Sequence, residues 1–382
     1  MLHQPITSVV ARTTERMCEV AWFSDLCGED TEFLSIRDPA RATFTHCRDI
    51  ALTADRLGFN NLLLPTSYMP GLEVVPFAAG VAPDLHRINL LAAIRCGEMY
   101  PPMLARTLAS LDQMLNGRLT INIINSDLPG YREDADFRYQ RCVETIQILK
   151  QAWTQDRIEH DGPVYGKISL DTAPVKPHQR SQTGGGSGPL LYFGGTSDGA
   201  RNVCARHCDV FLMWPETEEL LYDNMQDVST RAAQYGRTVD FGLRIHVIVR
   251  ETEAEAHAWA KHIMSKFDLK RGQAFKDASQ SSWSLGVKRQ NELRDGADPD
   301  GYAEPLLWTD IGKARSGAGG ALVGSANQIV EKLNRYMDMG IRAFIFSGYP
   351  LMEEAEQFAQ LVLSRLPTGL LSNHRVPTQT QL

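Results

Sequence analysis

Eight short apolar runs, each set off by a stretch of helical character, constrain this 382-residue chain more than any other feature. The runs are Glu19–Phe23, Asn60–Pro65, Ile88–Ile94, Leu119–Ile124, Leu190–Phe193, Val210–Met213, Phe241–Val249 and Ala343–Phe346. Their apolar content and short length read as strands. Between them the pattern predicts helices at Thr43–Leu57, about Pro102–Leu115, Asp136–Trp153, Ser197–His207, about Thr217–Tyr235, from about Glu253, Asn327–Met339 and about Glu353–Leu366. Gly58 suits the end of the first, Pro102 the opening turn of the second and Asn116-Gly117 its end. Eight strands alternating with helices predict an α/β fold, a (β/α)8 TIM barrel with insertion segments. An open doubly wound sheet is the second reading, but it asks for a glycine-rich phosphate turn after the first strand. Phe23-Ser24-Asp25-Leu26-Cys27-Gly28 does not supply one.

The barrel is expected to span residues 19–367 as one domain, after an N-terminal extension of residues 1–18 and before a loose polar tail, 368–382. Two segments break the alternation. Gln155–Pro189 ends in Gly184-Gly185-Gly186-Ser187-Gly188 and reads as a flexible loop. Lys266–Ala321 is polar and contains Ser316-Gly317-Ala318-Gly319-Gly320. Loops this long serve as lids or binding loops, or stay disordered. A net charge of −7 argues against nucleic acid as a partner. No apolar run nears the ~20 residues that span a bilayer, and Met1–Arg16 lacks the apolar core of a secretory signal, which points to the cytoplasm. The seven cysteines (18, 27, 47, 96, 142, 204 and 208) form no framework and read as reduced thiols. Cys204, His207 and Cys208 share one predicted helix, but no second ligand pair follows, so no metal is expected.

In Phe241–Val249 the apolar pattern is interrupted by Arg244 and His246, two residues apart and therefore on one face of a strand. An arginine in a core is costly unless paired or used. A fixed cation beside a titratable imidazole suits the handling of an anion. Barrel chemistry sits at the C-terminal ends of the strands. Gathered there are Arg95-Cys96, Asn125-Ser126-Asp127, Gly194-Gly195-Thr196-Ser197, Trp214-Pro215-Glu216, Arg244 with His246, and Ser347-Gly348-Tyr349-Pro350. The Gly-Gly-Thr-Ser turn opens a helix and makes a phosphate cradle or an ordinary helix cap; its residues alone leave both open.

From Glu19 to Pro367 the chain resembles the bacterial-luciferase-like flavin monooxygenases, among them the alkanesulfonate monooxygenases that use reduced FMN. The resemblance rests on Ala54-Asp55-Arg56-Leu57-Gly58-Phe59, Leu111-Asp112 with Asn116-Gly117-Arg118, Leu191 to Asp198, Phe241 to Glu251, Arg315 to Gly324 and Ser347-Gly348-Tyr349-Pro350. It implies a TIM barrel with insertions and reduced FMN (FMNH2) supplied by a separate NAD(P)H-dependent reductase. It further implies dioxygen as co-substrate, cleavage of an organosulfonate to an aldehyde and sulfite, and a homodimer or homotetramer. By position it implies Arg244 and His246 as the catalytic basic pair, Trp214 and Tyr349 as active-site aromatics, and Arg315 as the arginine of a closing loop. Arg138, Tyr139, Thr196 and Ser197 fall near the flavin phosphate, with Gly195 and Asn125 on the same cofactor side.

The substrate side departs from the family pattern. Cys27 stands where the family has a histidine, Pro70 where it has a cysteine and Leu351 where it has a histidine, and Cys96-Gly97-Glu98-Met99-Tyr100 replaces a Pro-Ser-rich run. Cys27, Arg95 and Leu351 are therefore the expected substrate-pocket residues. Two alternatives stay open: oxygenation of another small molecule, and a flavin- or deazaflavin-dependent dehydrogenase or non-catalytic flavoprotein.

Overall fold

The protein is described by a computed structural model covering residues 9–34, 36–66, 71–128, 130–178, 188–278, 284–314 and 317–374. Its strands are β1 (Glu19–Phe23), β2 (Asn61–Leu64), β3 (Asn89–Arg95), β4 (Leu119–Ile124), β5 (Arg157–Gly162), β6 (Gly166–Asp171), β7 (Leu190–Gly194), β8 (Val210–Met213), β9 (Asp240–Arg250), β10 (Tyr302–Glu304), β11 (Leu307–Trp308), β12 (Ala321–Ser325) and β13 (Ile341–Ser347). Its helices are α1 (Phe44–Leu57), α2 (Val74–Val81), α3 (Pro101–Met114), α4 (Ala135–Thr154), α5 (Asp198–His207), α6 (Glu218–Gln234), α7 (Glu253–Met264), α8 (Leu269–Ala278), α9 (Leu285–Asp295), α10 (Ala326–Met339) and α11 (Leu351–Leu361).

β1, β2, β3, β4, β7, β8, β9 and β13 run parallel in that order, and β13 pairs with β1 to close the barrel. All eight runs read as strands are therefore barrel strands, and closure rules out the open sheet. β9 is the longest. Its first half pairs with β8 (Val210↔Asp240 to Met213↔Leu243) and its second half with β12 (Ala321↔His246 to Ser325↔Arg250). β12 takes over where β8 stops, so β9 carries its side chains beyond the barrel rim.

The larger core lies between strands and helices, as it must when both strand faces are covered. A smaller one fills the barrel with Ala21, Leu63, Leu91, Tyr192 and Ile345. Its floor is polar but satisfied. The Glu19 carboxylate accepts from Asn61 Nδ2 (2.9 Å), the Tyr192 hydroxyl (2.6 Å) and Leu371 N (3.0 Å), while burial pushes its pKa up. Asp240 accepts from Thr13 N at 2.7 Å and pairs with Arg12 at 2.8 Å. Both chain ends thus seal the floor. The looseness expected beyond Pro367 does not hold as far as His374, because Leu371 is fully buried.

The two long segments are more ordered than a loop reading implies. Residues 157–171 form the β5–β6 hairpin, clamped by Glu144 of α4, which accepts from His160 Nε2 (2.9 Å) and Tyr165 N (3.0 Å). The second segment contains α8, α9, β10 and β11 and leads into β12, and it is anchored by Lys332 of α10, whose ammonium lies 2.6 Å from both Glu218 and Glu304. The stretch 184–187 of the glycine run lies outside the described residues. Among the described residues, no helix is long and apolar enough to cross a membrane.

Candidate active site

Register explains the first cluster. Ile345 of β13 faces Arg244 and Ser347 faces His246, and the period of two then points Arg244, His246 and Ser347 to the same inner face. Arg244 is 7% exposed and His246 3%. Arg244 donates from Nη2 to Ser347 Oγ at 2.8 Å and from Nη1 to the Ile245 carbonyl at 3.0 Å, and its guanidinium lies 4.7 Å over the Phe23 ring. Ser347 Oγ is 2.7 Å from His246 Nδ1, and His246 Nε2 is 3.0 Å from the Ala318 carbonyl oxygen. A carbonyl only accepts, so Nε2 carries hydrogen. Ser347 Oγ accepts from Arg244 and so bridges the guanidinium to Nδ1. The chain of hydrogen bonds thus runs from a permanent cation through a hydroxyl to an imidazole tethered to the glycine-rich loop. Tyr349 is buried beside it, its ring centre 5.8 Å from that of His246.

The second cluster is a cavity of about 540 Å³ over the ends of β4, β7 and β8. Asn125, Arg138, Tyr139, Gly195, Thr196, Ser197 and Trp214 all line it, so the expected cofactor residues come together. Ser197 caps α5 by accepting from Ala200 N at 3.2 Å and meets the Tyr139 hydroxyl at 2.6 Å, so the cap reading is realised, and with a phenol added. Thr196 Oγ1 and both amide atoms of Asn125 are buried with no hydrogen-bond partner among the described residues. Gly195 must lack a side chain, because a Cβ there would sit 2.5 Å from the Ala200 Cβ. Arg138 pairs with Asp127. Trp214 forms a wall beneath Gly286 of α9, where a Cβ would come within 3.0 Å of its ring. Gln290 of the same helix donates to the Pro215 carbonyl (2.7 Å) and accepts from Gly319 N (2.8 Å), which fixes the second insertion over this end of the barrel.

The expected substrate-side residues are less convergent. Arg95 is buried and turned to Glu98 (3.1 Å) and the Asp127 carbonyl (3.1 Å). Cys27 donates its thiol to Asp25 at 3.0 Å, and burial raises its pKa, so it is held as a thiol rather than a nucleophile. Leu351 is fully buried at the start of α11, its amide held by Asp30 at 2.6 Å, so its side chain packs in the core instead of opening to a pocket. Arg244, His246 and Tyr349 are not among the walls of the 540 Å³ cavity. Arg315 and Pro70 lie outside the described residues.

Two residues of the site went unassigned from sequence. Ser347 links Arg244 to His246, and only the β9–β13 register shows it. Glu216 lines the cavity at 6% exposure, and burial pushes its pKa up to about 7. Its place after a strand end was visible, but its enclosure was not.

The barrel thus carries a buried cation–imidazole pair and, over the ends of β4, β7 and β8, a cavity with an unpartnered hydroxyl at a helix N-terminus. The family model for luciferase-like monooxygenases matches residues 31–343, and the chain belongs to that family. It is 51% identical to a sulfoquinovose monooxygenase of Agrobacterium fabrum over 365 residues, 95% of this chain and 94% of the relative. A second sulfoquinovose monooxygenase, from Novosphingobium aromaticivorans, is 45% identical over 94% of this chain and 99% of its own length. Among solved structures, a riboflavin lyase with modified FMN and riboflavin shares the fold at a TM-score of 0.75 and 15% identity, covering 95% of this chain and 94% of that one.

Proposed function

We propose that this monooxygenase uses reduced FMN and dioxygen to break the C–S bond of a sulfonated sugar of the sulfoquinovose kind, releasing sulfite and an aldehyde. The near full-length 51% identity to a sulfoquinovose monooxygenase carries the reading, and the buried Arg244–Ser347–His246 chain gives it chemistry. One oxygen atom enters at the carbon bearing sulfur. The C–S bond then breaks, its electron pair leaves with sulfite, and the second oxygen atom becomes water.

The cradle fits FMN on three counts: the unpartnered Thr196 hydroxyl, the N-terminus of α5, and the space kept by Gly195. Thr196, Ser197 and Tyr139 would hold the phosphate, with Arg138 beside them, and the unpartnered Asn125 amide would meet polar atoms further along the cofactor. When bound, reduced FMN supplies the electrons that activate dioxygen. Arg244 cannot lose its proton and holds an anionic oxygen in place. His246 takes up or gives a proton at Nδ1 by way of the Ser347 hydroxyl, and the Tyr349 hydroxyl is a further donor. A reductase that uses NAD(P)H delivers the flavin. The enzyme works in the cytoplasm as a homodimer or homotetramer.

Sulfite release decides the matter. The protein is mixed with FMN, an NAD(P)H-dependent flavin reductase and air, and sulfite is measured with sulfoquinovose and with an alkanesulfonate. Release from sulfoquinovose well above the reductase-only control is expected. Its absence with both substrates overturns the reading and favours another oxygenation or hydride transfer. Ser197→Ala is expected to weaken FMN affinity about tenfold, the loss of roughly one charge-assisted hydrogen bond. Riboflavin, which lacks the phosphate, should lose little. Calorimetric titration of both ligands checks this, and equal losses for the two would place the phosphate elsewhere.

A further inference from the structure

Arg132 and Arg138 line the cavity, and around it several arginines are already engaged by carboxylates. Arg95 pairs with Glu98 at 3.1 Å, Arg141 with Glu133, and Arg138 with Asp127. The last pair differs from the others because both partners line the 540 Å³ cavity, together with Tyr139, Thr196 and Ser197. Asp127 follows β4, and Arg138 sits in the first turns of α4. The Asp127 carboxylate also accepts from Glu133 N at 3.2 Å, which fixes its direction toward the start of α4. Arg138 Nε is buried without a hydrogen-bond partner among the described residues, while its Nη1 is taken by Asp127. An anionic side chain therefore holds one of the two cavity-lining cations that a phosphate arriving at Thr196 and Ser197 would seek.

We propose that Asp127 is an internal competitor for the cofactor phosphate, which keeps flavin binding weak by occupying Arg138 and by placing a negative charge in the cradle wall. This rests on the reading of the cavity as the FMN site. A phosphate dianion that enters must share Arg138 with the carboxylate or displace it, and in either case it meets a like charge in a partly dry pocket. The hydroxyls of Thr196, Ser197 and Tyr139 and the α5 N-terminus give enough attraction to admit the phosphate. Asp127 limits how tightly it stays. A cofactor that arrives reduced and leaves oxidised at every turnover needs such a limit. The effect acts on the phosphate, so it is the same for both oxidation states and absent for riboflavin.

Asp127→Asn tests this, because the amide oxygen keeps the bond from Glu133 N while the charge is removed. Oxidised FMN and riboflavin are titrated by calorimetry into wild type, D127N, R138Q and the D127N/R138Q double variant, with thermal melts to confirm folding. D127N should bind FMN at least tenfold tighter and riboflavin within about twofold of wild type, and should purify with flavin attached. R138Q leaves the carboxylate without its counter-ion and should bind FMN more weakly than the double variant does. This second comparison stands even if D127N alone folds poorly. Unchanged or weaker FMN binding in D127N, with wild type still preferring FMN to riboflavin, overturns the competitor role and leaves Asp127 a strut that aims Arg138. If wild type binds FMN and riboflavin alike and S197A changes neither, the placement of the phosphate falls first, and the proposal falls with it.

Discussion

Arg244→Ala is expected to lower turnover by about two orders of magnitude or more, the range for loss of a fixed charge aimed at a reacting anion. The guanidinium is placed by contacts of different kinds: the Ser347 hydroxyl at 2.8 Å, the Ile245 carbonyl at 3.0 Å and the Phe23 ring face at 4.7 Å. Alanine removes the charge and leaves the hydroxyl without its donor, so His246 loses the far end of the chain that orients it. Arg244→Lys keeps a charge but not the planar fork, and should recover only a small part of the activity. His246→Ala should fall as far, since it removes both the proton-accepting Nδ1 and the tether to the Ala318 carbonyl. FMN affinity should change less in all three variants, because the cofactor residues line a cavity whose walls include neither Arg244 nor His246. Sulfite release under excess reduced FMN, set beside FMN titrations, separates the two effects. Turnover near wild type in both alanine variants would remove the pair from the active site.

Much of this architecture is legible because it depends on local pattern. The barrel strands are covered on both faces, so most appear as nearly continuous apolar runs, with Thr120 and Asn122 interrupting β4. Arg244 and His246 stand out as exceptions within one of them, and the period of two is enough to place them together. What stays hidden depends on contacts between distant parts of the chain. The β5–β6 hairpin is mostly polar, with Ile158, His160 and Ile168 turned inward, and its stability comes from Glu144 on a neighbouring helix. α2 contains Pro76 and Gly80, both poor helix formers, and is held by its buried Val74, Phe77 and Val81. β12 is a five-residue strand that makes sense only against the overhang of β9. The same distinction runs through the site. Ser347 is an ordinary strand end until the β9–β13 register sets it between Arg244 and His246. Motif position assigned Leu351 to a pocket, but an α11 N-terminus held by Asp30 turns that side chain into the core.

Glu216→Gln is expected to stabilise the flavin-free protein at alkaline pH and to leave it unchanged in acid. Glu216 is 6% exposed on the cavity wall, and burial is the main cause that pushes its pKa from 4.5 to about 7, with Arg289 pulling it down and Glu292 adding to the rise. Below pH 4.5 the group is protonated in folded and unfolded chains alike and contributes nothing to the difference. Between 4.5 and 7 the unfolded chain releases the proton while the folded one keeps it, so stability falls as pH rises. Above 7 the cost levels off at about 3 kcal/mol, from ~1.4 kcal/mol for each unit of pKa. Glutamine has no charge to bury and escapes this cost. Denaturant midpoints at pH 4, 6 and 8 should therefore coincide for the two proteins in acid and diverge progressively toward pH 8; parallel curves would show that Glu216 titrates normally. The same ionisation bears on function. Near neutral pH it adds a negative charge to a wall facing an anionic cofactor, so FMN affinity in the wild type should decline through pH 7, and in the glutamine variant that decline should be absent.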